Sequence, residues 1–217
     1  MSQKKKLVAI CHKVYAKGFV AAYDGNISAR TDDNTILITR SGICKGDVTE
    51  KDVVEIDINR RALSQKIKIS TEHKIHLLAY QKRKEVNAVV HCHPTYATAF
   101  ALIGKGLDEH YLPEVFLTLG KIPLCKYATP STDKVPESLE PYINYSWAML
   151  LQNHGAITLG KNLDDAYFKM EKLEHAAKII LLAKLIGNPR VLSKKNIVDI
   201  LKIAESTYGI IPDKRNI

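Results

Sequence analysis

The 217-residue chain is short of several things, and each shortage excludes a class of protein. It has four cysteines, Cys11, Cys44, Cys92 and Cys125, with no C-x-x-C pair and no framework spacing. A disulfide-stapled domain and a thiolate zinc module are both excluded, and the thiols are expected to be reduced. No apolar run approaches the roughly 18 to 20 residues that span a bilayer, and the first apolar stretch is broken by His12 and Lys13 before a signal-peptide core can form. The expectation is a soluble, cytoplasmic protein with no membrane partner. Acidic residues are outnumbered, 23 against 32 Lys and Arg, for a net charge of +9. The basic residues are scattered, however, and no aromatic-interleaved RNA motif accompanies them. No nucleic acid partner is expected, and phosphorylated metabolites fit the charge as well. The glycine-rich turn and βαβ regularity of a dinucleotide fold are missing too.

With 46% hydrophobic residues, the chain can bury one sizeable core, so a single domain over residues 1–217 is expected. Leu7, Ile10, Cys11 and Val14 fall at helical spacing before Gly18. The β-branched segments 35–40 and 52–58 read as strands of a meander that runs on past Arg61, with a turn over residues 24–28 before them. A helix is expected from Ser70, capped by Ser70 or Thr71, with Glu72 in its first turn. Residues 88–93 then form a strand. A short helix after Pro94, an extended segment near residues 121–128 and a polar helix over 132–143 follow. Two buried strands meet around Asn153, His154 and Gly155, a long helix runs from Asn162 to Gly187, and a last one starts near Ser193. The pattern implies an α/β protein with a mixed, mostly antiparallel central sheet covered by helices.

The segment AVVHCHP, residues 88–94, carries the chemistry. On a strand, His91 and His93 point to one face and Cys92 to the other, so two imidazoles can reach one ion. Burying two imidazoles without a shared partner would be costly. A metal needs further ligands: His154, at the end of an apolar strand, is the candidate third, and Glu72 the candidate fourth. Three imidazoles and a carboxylate suit zinc. Glu72 and His76, four apart on one helix, form a rival pair, but that pairing would leave the strand histidines unexplained, and His76 is read as a supporting residue. Three polar stretches could cradle an anion: Gly25 and Asn26; Ser41 and Gly42; and Ser70 and Thr71 at a helix N-terminus.

These residues resemble a known family. GNIS, ITRSG, STEH, AVVHCHP, IPLCKYATP, LLQNHGAI, LEHAAKI and STYGI recur in order along nearly the whole chain as they do in the class II aldolase and adducin-like family, most closely its bacterial L-fuculose-1-phosphate aldolases. The resemblance implies a three-layer α/β/α sandwich and a homotetramer with active sites between subunits. It implies one Zn²⁺ per subunit on His91, His93 and His154, with Glu72 as a ligand that swings away to act as acid and base. It places Gly25, Asn26, Ser41, Gly42, Ser70 and Thr71 on the substrate phosphate. The expected reaction is cleavage of a ketose 1-phosphate to dihydroxyacetone phosphate and an aldehyde such as lactaldehyde.

The chain also departs from that pattern. Where the fuculose-phosphate enzymes use a tyrosine as proton donor at the alkoxide end, this chain has Leu112, flanked by Tyr111 and Glu114. A second family tyrosine matches Tyr208, in a C-terminal tail expected to be mobile from about residue 207. Tyr111, Glu114 and Tyr208 are therefore the candidate proton donors. A methylthioribulose-1-phosphate dehydratase is an alternative because of Glu114. An L-ribulose-5-phosphate 4-epimerase is another, although similar epimerases carry aspartate where Glu72 stands. The non-enzyme alternative, an adducin-like binding scaffold, would be marked by loss of the metal histidines.

Overall fold

The computed structural model describes residues 1–31, 35–58, 69–209 and 211–217, apart from the Tyr208 side chain. The continuation of the meander past Arg61 lies outside them. The described residues form seven helices and one seven-stranded sheet. In chain order the elements are α1 (Gln3–Ala16), β1 (Asn26–Arg30), β2 (Thr35–Thr39), β3 (Val53–Asp57), α2 (His73–Lys82), β4 (Ala88–Cys92), α3 (Thr95–Leu102), α4 (Pro113–Leu119), β5 (Leu124–Cys125), α5 (Lys134–Ile143), β6 (Ala148–Leu151), β7 (Gly155–Gly160), α6 (Leu163–Ile186) and α7 (Lys194–Tyr208). The strand order is β3-β2-β1-β4-β7-β6-β5, antiparallel at every pairing except β5 with β6.

Strand alternation divides the core between two helical layers. Along β4, Ala88, Val90 and Cys92 join a cluster with Leu7 and Val14 of α1, Phe100 of α3 and Met170 and Leu173 of α6. Val89 joins the opposite cluster, with Ile75 and Leu77 of α2 and Leu139 of α5. The result is the three-layer sandwich expected, with β4 buried along its whole length. Each fully buried aliphatic side chain contributes about 1.5–3 kcal/mol.

Local signals set the helix ends. Ser2 accepts the Lys5 amide to start α1, and Asn162 accepts that of Asp165 to start α6. Two expectations are corrected. Residues 26–28, read as part of a turn, are the first half of β1, a central strand. Its outward alternation is polar on one side (Asn26, Ser28, Arg30), which disguises it, yet Asn26 and Ser28 are buried. The second concerns α2, whose N-cap is Glu72 and not Ser70 or Thr71. The Glu72 side chain makes no capping bond, because it turns toward the histidines, and the Ser70 hydroxyl accepts the Glu72 amide instead. Sequence patterning also passed over α4, which Pro113 opens at a position where a missing N–H leaves no bond unmade.

Candidate metal centre

The sheet pairings gather the site at one end of the sheet. Asn26 opens β1 opposite His91 near the end of β4, and Cys92 pairs with Ala156 at the start of β7. His154 lies in the turn between β6 and β7, where Asn153 takes φ +57°. An isolated bridge between Arg40 and Ile69 brings the 40–42 turn beside Ser70 and Thr71. Five segments distant in sequence thus converge through strand order and the seating of α2 beside it.

His91, His93 and His154 form a triangle, with ring centroids 4.9–5.0 Å apart. One ligand nitrogen from each lies within 4.8 Å of the others, a spacing able to hold a metal ion. The Nε2 atoms of His91 and His93 are 3.3 Å apart. His91 Nδ1 lies 2.9 Å from the Ala156 carbonyl, to which it can only donate, so in the neutral ring Nε2 presents its lone pair to the cluster. Glu72 closes the arrangement, Oε1 being 3.0 Å from His154 Nε2 and Oε2 3.6 Å from His91 Nε2. His93 Nδ1 lies 3.5 Å from Asp24 Oδ2. Convergent imidazole lone pairs beside a carboxylate form a donor set that fits a divalent ion such as zinc.

The electrostatics follow the packing. Burial pushes the Glu72 carboxyl up, but the His91 and His154 imidazoles outweigh it and hold it well below the usual carboxylate range. Burial pushes His91 down, and the Glu72 charge more than reverses this. Burial, then the neighbouring His91 and His154, lower His93 to about 4.

The other expected site residues divide. Gly25, at φ +72°, lies against the β4 backbone, where a Cβ would come within 2.6 Å of the His91 carbonyl oxygen. Asn26 donates from Nδ2 to Glu72 Oε2 at 2.7 Å, and the same nitrogen lies 3.5 Å from Ser70 Oγ. Thr71 Oγ1 lies 2.7 Å from Ser131 Oγ, so Ser131, which sequence reasoning missed, joins this rim. Gly42 is exposed at φ +69° beside Ser41, whose carbonyl accepts from Arg40. Tyr111 and Glu114 have their partners elsewhere. Tyr111 donates to Glu109, while Glu114 stands exposed in the first turn of α4, its carbonyl accepting from Thr118 and Lys172. Tyr208 ends α7 and its side chain lies outside the described residues; the chain beyond returns to dock Asn216 on the Leu119 carbonyl.

The sequence model of the Class II Aldolase and Adducin N-terminal domain matches residues 5–181. An L-fuculose phosphate aldolase of Methanocaldococcus jannaschii is 35% identical over 183 residues, covering 84% of this chain and 98% of that protein. A 3-oxo-tetronate 4-phosphate decarboxylase of Pectobacterium atrosepticum is 32% identical over 184 residues, covering 82% and 84%. Among solved structures, an L-fuculose 1-phosphate aldolase superposes with a TM-score of 0.84 at 30% identity, over 92% of this chain and 94% of that one. No helix among the described residues is long and apolar enough to cross a membrane. Matched over most of its length and carrying a three-histidine cluster with an adjoining carboxylate, this chain belongs to the class II aldolase and adducin family, as a metal-dependent lyase.

Proposed function

We propose that the protein is a zinc-dependent aldolase that reversibly cleaves a ketose 1-phosphate, L-fuculose 1-phosphate or a similar deoxy-ketose phosphate, into dihydroxyacetone phosphate and an aldehyde. The observation that carries this reading is the meeting of the His91, His93 and His154 nitrogens with the Glu72 carboxylate, one hydrogen bond from Asn26 and within reach of Ser70. His91, His93 and His154 would hold the ion with Glu72, and a bound divalent cation supplies Lewis-acid stabilisation of the negative charge that develops on the substrate oxygen as the C3–C4 bond breaks.

The chain's own groups do the rest. Backbone N–H groups near Gly25 and Gly42, the Ser41, Ser70 and Thr71 hydroxyls and the Asn26 amide anchor the phosphate. Glu72 moves the proton at C3: it donates in cleavage and abstracts in the reverse direction. At the departing aldehyde, the C4 hydroxyl proton is exchanged by Tyr111, Glu114 or Tyr208. The assembly is a homotetramer of one domain per chain, in which a neighbour would bring that third group to the site.

A second reading, favoured by relatives such as the Pectobacterium protein, is decarboxylation of a 3-oxo acid phosphate. Loss of CO₂ from a carbon next to a ketone leaves the same kind of enolate, so one metal centre serves either leaving group. The test is dihydroxyacetone phosphate release, coupled to glycerol-phosphate dehydrogenase, from L-fuculose 1-phosphate and from 3-oxo-tetronate 4-phosphate. Release from the first that vanishes with chelator and returns with zinc establishes the aldolase. Release from the second alone replaces it with the decarboxylase, and release from neither by zinc-loaded protein sinks both.

A further inference from the structure

Behind the cluster lies a polar seam that no ligand set requires. Helix α2 presents Glu72, His76 and Tyr80 four residues apart, about 6 Å per step, and β1 presents Asn26, Ser28 and Arg30 two apart, about 6.8 Å per step. The two rows therefore stay in register. Asn26 bonds Glu72 and, through Oδ1, His76 Nε2. Ser28 Oγ lies 2.6 Å from both His76 Nδ1 and the Tyr80 hydroxyl. Arg30 donates to the Tyr80 carbonyl at 2.7 Å, its guanidinium 5.0 Å from the Tyr80 ring centroid. Ser28 and His76 are fully buried, and Asn26 and Tyr80 nearly so.

Only one arrangement of protons suits this seam. If the Asn26 amide were reversed, its oxygen would face the Glu72 carboxylate and two acceptors would meet, so Nδ2 must face Glu72 and Oδ1 must face His76. His76 then needs its proton on Nε2, its Nδ1 must accept from Ser28, and Ser28 must accept from Tyr80. Burial keeps both ends of this scheme available, lowering His76 to about 3 and raising the Tyr80 hydroxyl above its ordinary value. Every donor in the line points toward Glu72.

We infer that His76 is a positioning residue: held as the neutral Nε2–H tautomer by Ser28 and Tyr80, it locks the Asn26 amide, and through it the Glu72 carboxylate, in the orientation the metal centre uses. This rests on the reading of Glu72 as metal ligand and proton carrier. A residue that merely filled space here would leave the buried Asn26 Oδ1 without a donor, and the amide free to shift away from Glu72 in search of one. The locked amide also spends one N–H on Glu72 and leaves the other toward Ser70, tying the carboxylate to the phosphate rim.

The direct test needs no substitution. In metal-free protein labelled with ¹⁵N-histidine, the two-bond ¹H–¹⁵N pattern of His76, assigned through its scalar couplings to the backbone, is expected to show the Nε2–H tautomer at pH 7.5; an Nδ1–H or a charged ring overturns the inference. The second arm measures zinc affinity against a chelating dye. His76→Leu is expected to weaken it by about 10- to 100-fold. His76→Gln, whose amide can donate to Asn26 and accept from Ser28, is expected to restore most of that loss. Equal loss in both variants, or none in His76→Leu, overturns the inference. Failure of the sugar-phosphate assay with these two results intact would reject the proposed reaction and leave the role of His76 standing.

Discussion

At the end of the sheet opposite the histidines, Arg83 lies buried with its guanidinium 3.9 Å from the Trp147 ring centroid, donating to Glu85 and to the Ser146 carbonyl at 2.8 Å each. Lys169 packs 3.7 Å from the same ring centroid and donates to Asp165 at 2.9 Å. Both cations there have an acceptor and an aromatic face. At the histidine end, three imidazoles turn ring nitrogens toward one another within 4.8 Å, with the Glu72 carboxylate beside them. Both regions bury polar groups on one scaffold. The first end is closed in the sense that its cations are already partnered, whereas the histidine end has ring nitrogens left to give to a ligand.

The difference is sharpest under His93→Ala, which is expected to remove bound metal and lyase turnover together; metal analysis beside an activity assay checks it, and full turnover in the variant would contradict the site. Next is Glu72→Gln, expected to keep the fold while kcat falls by about 10² to 10⁴. Circular dichroism and steady-state kinetics read the two halves of that statement, and a wild-type kcat would remove Glu72 from the proton-transfer role.

The pH dependence of stability comes third. His76 is lowered in the folded protein from 6.5 to about 3, so below about pH 6.5 the unfolded chain binds a proton that the folded chain refuses. Its contribution is present above that pH and is lost as the pH falls toward 3, at about 1.4 kcal/mol per pH unit. Urea unfolding of metal-free protein at pH 7.5 and 5.5 is expected to show the loss, and His76→Leu to flatten it; an unchanged slope in the variant would assign the effect elsewhere. The smallest change is expected at the closed end. Arg83→Leu strands the Ser146 carbonyl and lowers stability by about 1–3 kcal/mol while zinc affinity stays at the wild-type value. A matching loss of metal there would show that the two ends are coupled.

Much of the architecture could be read before the fold was known. Helices α1 and α6 announce themselves by apolar residues at helical spacing, α6 opening at Asn162, and the H-x-H of β4 stands out because apolar strands seldom carry two imidazoles. The harder cases share one physical cause. Strand β1 and the start of α2 spend their side chains on one another: Asn26 and Ser28 look like turn residues, and Ser70 like an ordinary helix cap. Residue type signals burial reliably only when the buried surface is apolar. Ser131 carries no signal at all, because its place beside Thr71 comes from a contact across 60 residues.

The sequence by itself determined the alternation that makes each strand two-faced, the helical stripes that cover both faces, and the residue types able to bind a metal, since these depend on spacing along one element. Only the tertiary structure decided that Glu72 meets His154 and His91, and that His76 supports Asn26. Those contacts depend on strand order and on the register of α2 over β1, which are set by packing between segments that no local pattern connects.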